Sequence, residues 1–225
     1  MVRDIVLNLD IKQVLRRQGI AKNHVRPGMI AMAQELVHVA EIHLLKPLAA
    51  YNIYPVVEVT HDEIHLNDFT VIKGGLLSSV LKQATELVTV VCTIGAELEQ
   101  QVTAYLAENE VLKGVLLDSI GSAAVDSTLR EFGKLIANEA VSRGYNTSRP
   151  LSPGIPGFPL SEQQRLLELS GAREVGVSLT SSGVMKPRKS ISAVIGVGPD
   201  MPIWKPADTC TSCNLKNTCS YRTHA

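Results

Sequence analysis

The chain has 225 residues and a mass of 24.3 kDa, and its 22 Lys plus Arg balance 22 Asp plus Glu. At 45% hydrophobic and 20% charged residues it falls outside the disordered class, and at this length it buries roughly 70% of its unfolded surface without staples. Zero net charge and only three Phe, five Tyr and one Trp disfavour a protein that grips phosphates or stacks bases, so no nucleic-acid partner is expected.

No run of about 18 apolar residues is present, so no membrane-spanning helix is expected. Met1 to Asp10 lacks a basic segment followed by an apolar core, which reads as no secretory signal and hence a cytoplasmic protein. Of four cysteines, three crowd into the last 16 residues, a clustering that in a reducing compartment suggests a metal site or redox chemistry more than disulfides.

Asp10 can cap a short helix over Ile11 to Arg17, with Gly19 stopping it. Pro27 opens a longer helix whose Met29, Ile30, Ala33, Leu36, Val37, Ala40 and Leu44 recur at three and four, and Pro47 ends it. From Tyr51 to Ile72, Val57, Val59, Ile64, Leu66, Phe69 and Val71 alternate with polar residues around His61-Asp62 and Asn67-Asp68, predicting a small antiparallel meander. Leu76 to Gln83 reads as a short helix, and the apolar run Leu87 to Ile94 as a central strand buried on both faces.

After a turn at Gly95, Ala96 to Glu108 reads as helix, and Val111 to Val141 as a longer helix with room for a break. Four Pro and three Gly between Arg143 and Pro159 exclude regular structure there. Ser161 can cap a helix to Leu169, while Glu174 to Leu179 and Ser190 to Val197 read as strands. Strands and helices without regular alternation say α+β. The expected organisation is one domain over residues 1–200, in two parts meeting near 110–111, with a cysteine-rich tail over 201–225.

The segment Ser148-Arg-Pro-Leu-Ser-Pro-Gly-Ile-Pro-Gly-Phe-Pro159 admits two readings. It is either structural cover for a sheet edge, or a rigid strip offering carbonyls and amides to a flat ligand, with Arg149 free to grip a carboxylate. On the preceding helix Asp118, Ser122, Asp126 and Arg130 are spaced by four and share one stripe, which is either a solvated face or part of a site. His61 and His65 flank a hairpin turn and His38 and His43 face differently on a helix, so neither pair is given a role.

Arg149 followed by Pro153-Gly-Ile-Pro156 resembles the Arg-x-x-x-Gly-Tyr-Pro motif of the activation domain of cobalamin-dependent methionine synthase. The stretch Leu179-Thr-Ser-Ser-Gly-Val-Met-Lys-Pro-Arg-Lys-Ser-Ile-Ser192 is similar to that family's Leu-Thr-Glu-Ser-x-x-Met-x-Pro-x-x-Ser-x-Ser segment. The likeness spans about Val111 to Val197; Asp10-Ile-Lys-Gln-Val-Leu15 and Thr93-Ile-Gly95 are compatible with it. Three departures stand out: the arginine-to-glycine spacing is one residue longer, Ile155 replaces the tyrosine, and Ser181 replaces the glutamate.

The resemblance implies a twisted antiparallel sheet with flanking helices, and S-adenosylmethionine as ligand. By that likeness Arg149 meets the ligand carboxylate, Asp126 aligns with a family glutamate, and Ser152, Pro153, Gly154, Ile155 and Pro156 lie along the adenine and methionine groups. It implies a methyltransferase-type reactivation role. A corrinoid stalled in its oxidised form on a partner methyltransferase or corrinoid protein receives one electron from a low-potential donor, and methyl transfer traps the reduced form. No cobalamin-binding Asp-x-His-x-x-Gly motif occurs in this chain, so cobalamin is expected on the partner. Lys186, Arg188 and Lys189 form a basic cluster suited either to that partner or to solvent.

Cys210-x₂-Cys213-x₅-Cys219 lets three thiolates reach one metal, with Cys92, His224 or a residue of another chain as a fourth ligand. Zinc and an iron–sulfur cluster both fit this set. Two rival readings follow: an iron–sulfur electron carrier in which the tail does the work, and a non-catalytic partner-binding module of the same fold.

Overall fold

A computed structural model describes residues 1–7, 9, 14 and 27–203. Apart from Val14, the expected Ile11 to Arg17 helix lies outside these residues, as do its Asp10 cap and the Cys210, Cys213 and Cys219 tail.

The centre of the molecule is β5 (Glu86–Thr93), an apolar strand whose last seven residues are all buried. It pairs antiparallel with β2 (Leu48–Val59) over eight positions on one side and with β9 (Ser190–Gly198) over eight on the other. β5 and β9 are buried on both faces, which accounts for their runs of Val, Ile and Leu, whereas β2 is buried only over Ala49–Tyr51. The sheet continues outward through β3 (Glu63–Leu66) and β4 (Val71–Lys73) beyond β2, and through β6 (Asn146–Thr147) beyond β9. The strand β1 (Val2–Asp4) joins the start of β2, on the same edge that pairs β3 at its far end. A register shift between Val56 and Glu58 bends β2 where the two halves meet. The expected α+β fold, an antiparallel sheet with flanking helices, is what the described residues form.

Side-chain alternation along β5 assigns its two faces. Val88, Val90 and Cys92 join Tyr51, Ala193 and Ile195 under Leu129, Phe132, Ile136 and Ala140 of a long helix. Tyr51 and Phe132 meet edge to face at 5.0 Å and 62°, worth about 0.5–1.5 kcal/mol beyond area burial. Leu87 and Val194 face the other way, into a core with Leu77, Leu151, Phe158, Leu166 and Met201. A third core, Ala33, Leu36, Ile94, Leu98, Leu116 and Ile120, binds the helices to one another beyond the sheet.

Helix by helix, α1 (Pro27–Val39) runs into a π turn over Ala40–Leu44, so the expected helix stops short of its last turn. The short α2 is Gly75–Val80 and α3 is Glu97–Ala107. The long helix α4 runs unbroken over Val111–Ser142, although the sequence left room for a break. The helix after the Gly/Pro loop, α5, is Gln163–Ser170; a 3₁₀ turn over Leu160–Glu162 precedes it, and Ser161 makes no cap hydrogen bond, contrary to expectation.

Other expectations are corrected by the strands. The segment expected as meander from Tyr51 begins earlier, because Leu48–Ala50 already pairs with β1 and β5. Phe69 is not an inward strand residue. It sits in a turn at φ +65° and is 97% exposed, because the Asn67-Asp68 turn takes one residue more than alternation allows. Ala172–Val175 is a 3₁₀ turn, so only β7 (Ser178–Leu179) remains of the strand expected over Glu174 to Leu179. It pairs with β8 (Met185–Lys186) in a hairpin apart from the main sheet. No helix among the described residues is long and apolar enough to cross a membrane.

Candidate functional site

The Gly/Pro segment is less irregular than its composition suggests. Thr147 pairs with Val197, the Ser148 amide donates to Gly196 at 2.9 Å, and Leu151 and Val194 exchange both amide–carbonyl bonds at 2.8 and 2.9 Å. The Ser148 hydroxyl accepts from the Gly196 amide and donates to the Arg149 carbonyl, both at 2.9 Å. Residues 147–151 therefore run as an edge along β9. Pro150 stands on this outer border, where a missing amide proton costs nothing.

Between this edge and α4 lies a mostly apolar groove of about 410 Å³. One wall is Thr147, Ser148, Arg149 and Pro150; the other is the α4 stripe Asp126, Leu129, Arg130, Gly133, Lys134 and Ala137. That stripe steps by three and four, as a single helix face must. Gly133 sets the groove's depth: a Cβ there would stand 3.4 Å from the Pro150 ring.

Asp126 and Arg149, far apart in sequence, thus come to one groove. Arg149 is half-buried, and its guanidinium has no hydrogen bond or ion pair among the described residues. Asp126 is exposed on the helix wall. Beside it, Glu131 receives Lys134 at 2.9 and 3.0 Å and Arg130 at 3.5 Å. Burial pushes the Glu131 carboxyl up, but the hydrogen bonds from Lys134 and Arg130 outweigh it and hold the group below its ordinary value.

The other expected contacts lie elsewhere. Ser152, Pro153, Gly154, Ile155 and Pro156 are not among the groove's lining residues. Gly154 is needed for its backbone: at φ +96° it turns the chain so that its amide donates to the Phe158 carbonyl at 2.9 Å. Ile155 packs partly buried against the core that holds Phe158 and Leu151. An apolar side chain suits that place better than a phenol, which would need a partner for its hydroxyl.

The stripe of Asp118, Ser122, Asp126 and Arg130 divides in two. Lys189 is only 15% exposed at its side chain; its ammonium reaches Asp118 at 2.7 Å and Ser122 at 2.9 Å. Lys189 is thereby drawn out of the expected basic cluster, leaving Lys186 and Arg188 exposed. The lower half of the stripe faces the groove. Lys134 and Gly133 were not singled out from the sequence, yet the step of four from Asp126 and Arg130 leads to Lys134, and a glycine in mid-helix is its own signal.

Cys92 is fully buried among the α4-side core, and burial pushes its thiol up. No group of three or more metal-ligating side chains occurs among the described residues. His61 lies 2.9 Å from Asp62 and His65 lies 3.3 Å from Glu63, a separate neighbour for each.

The fold is similar to that of a solved reactivation domain. A solved structure titled as the MetH reactivation domain bound to AdoHcy superposes with a TM-score of 0.64 at 15% identity, over 91% of this chain and 80% of that one. No family model matches the chain, and no curated protein matches it by sequence.

Proposed function

We propose that the protein binds S-adenosylmethionine in the groove between α4 and residues 147–150 and supports reductive remethylation of a corrinoid carried by a partner. The observation that carries this reading is the half-buried Arg149 guanidinium, without a partner among the described residues, facing a groove that also holds Asp126. A ligand with a carboxylate, an ammonium and an apolar-faced base matches that set. The fold it shares with a reactivation domain solved with AdoHcy supports the same ligand class.

Arg149 takes the carboxylate through a two-pronged charge-assisted pair, and Asp126 takes the ammonium. Leu129, Ala137 and Pro150 pack against the base, and Ser152 to Pro156 continue the segment past Leu151, outside the groove's lining. When bound, S-adenosylmethionine supplies the methyl group. The role of this chain is to hold and orient it, and it needs no nucleophile or general base of its own. The corrinoid belongs to a methyltransferase or corrinoid protein, the electron comes from a separate low-potential donor, and the setting is the cytoplasm.

Calorimetric titration of anaerobically purified full-length protein tests this. Saturable binding is expected, weakened at least about tenfold in Arg149→Ala, the scale of one lost charge-assisted bond. Unchanged affinity in the variant removes Arg149 from the site, and absence of binding to the native chain removes the reading.

The Cys210-x₂-Cys213-x₅-Cys219 spacing favours a second function for the tail, a zinc or iron–sulfur site, the latter giving the chain an electron carrier of its own. Iron and acid-labile sulfide assayed after anaerobic purification decide it. Two or more irons per chain, lost on Cys213→Ser, are expected for a cluster; stoichiometric zinc replaces the cluster with a structural site, and a metal-free chain removes both.

A further inference from the structure

We infer that Gly133 is the residue that fits the groove to a flat base: its missing side chain leaves a dip in the α4 wall against which the adenine face lies. The inference rests on the proposed ligand class and adds a specificity-determining residue to it.

Leu129, Gly133 and Ala137 are spaced by four and line the groove as one row along α4. Leu129 is anchored in the core beneath the sheet, so the row has a fixed aliphatic chain at one end and a methyl at the other. Pro150 stands opposite the middle of the row. A Cβ at residue 133 would lie 3.4 Å from Pro150 Cγ and 4.0 Å from its Cδ, so the two walls close to within one methyl group at the groove floor. All of these surfaces are uncharged and apolar, which suits a heteroaromatic face rather than the amino-acid end of the ligand. Arg149 precedes Pro150 in the chain, so one wall carries both the ring contact and the grip on the carboxylate.

Packing does not account for this glycine. The helix α4 holds three. A Cβ at Gly114 would stand 3.0 Å from Leu106, and one at Gly121 would stand 2.6 Å from Leu98, so contact with α3 demands glycine at both. At Gly133 the Pro150 ring alone lies within 4 Å beyond the helix's own backbone, at an ordinary contact distance. Alanine therefore fits the fold there, and a helix interior favours alanine over glycine. What the methyl would occupy is the dip. A base that rests on bare backbone would be lifted by the thickness of that methyl, losing its close contact and pulling the carboxylate away from Arg149.

The test uses full-length native protein, Gly133→Ala and Gly133→Leu, each titrated calorimetrically with S-adenosylmethionine and melted without ligand. Gly133→Ala is expected to keep or raise the melting temperature, by up to about 4 °C, while its affinity falls at least about tenfold. Gly133→Leu is expected to remain folded and show no saturable binding. Adenosine in excess is expected to compete for the native site. Unchanged affinity in Gly133→Ala overturns the role of Gly133 and leaves the ligand assignment standing. Weaker binding with a lowered melting temperature overturns it as well, because the glycine then serves packing. Failure of adenosine to compete overturns the seating of the base. Failure of the native chain to bind S-adenosylmethionine overturns the ligand assignment and this inference together.

Discussion

Thr89 lies midway along β5, opposite Asn52 on one side and Val194 on the other, and is wholly buried. Its neighbours on the same face, Leu87 and Val91, are apolar. Its hydroxyl has no hydrogen-bond partner among the described residues. An unsatisfied buried hydroxyl costs about 1–3 kcal/mol, and valine keeps the β-branched shape that a strand favours. Thr89→Val is therefore expected to raise stability by about 1 kcal/mol, or roughly 2–4 °C in a thermal melt at this chain length; a lowered melting temperature would show that the hydroxyl is satisfied. Arg149 is the contrasting residue, a strong donor that the described fold leaves unanswered at a groove. The sequence made Arg149 legible because a lone arginine inside a proline-rich run stands out. Lys134 was hidden because one more lysine on a helix looks like solvent-facing charge.

At the scale of elements, α4 and the β8–β9 connection hold each other through Lys189. Its ammonium joins Asp118 and Ser122, and its amide donates to Glu99 of α3 at 2.6 Å. Removing the side chain leaves Asp118 half-exposed and able to rehydrate, which limits the loss. Lys189→Ala is expected to destabilise by about 1–2 kcal/mol, and Arg188→Ala, on an exposed neighbour, by less than about 0.5 kcal/mol. Denaturant midpoints for the two variants check this, and equal midpoints would reduce Lys189 to a surface charge. Helices were read well where three-and-four periodicity ran long, as in α4. Short strands were read poorly: β6 hides in a Pro/Gly run, and β1 is three residues whose partner is 44 positions away at its nearest pair, Asp4 with Leu48. Pairing of that kind is decided by the partner strand, which local pattern cannot see.

For the whole molecule, the architecture was legible from two separated motifs because both fall on the C-terminal half, where the sheet edge and the long helix meet. The site was legible only in part. Asp126 and Arg149 come together, whereas Ser152 to Pro156 continue past the groove, and Ile155 turns into the core. A linear motif records which residues are near one another in sequence. It does not record that Leu151, pinned to Val194, divides the segment into a part facing the groove and a part facing α5.

That same pinning sets a schedule for the newborn chain. The groove wall over 147–151 is held by β9, which ends at Gly198, and β9 also closes the second edge of β5, about a hundred residues earlier in the chain. At roughly 5–20 residues per second of synthesis, β5 waits seconds for its neighbour. Through that wait its apolar edge is open to strangers, and synthesis has passed Gly198 before a small molecule has anywhere to settle. Supplying the ligand early cannot rescue a chain that stalls before β9 emerges; a holding chaperone can.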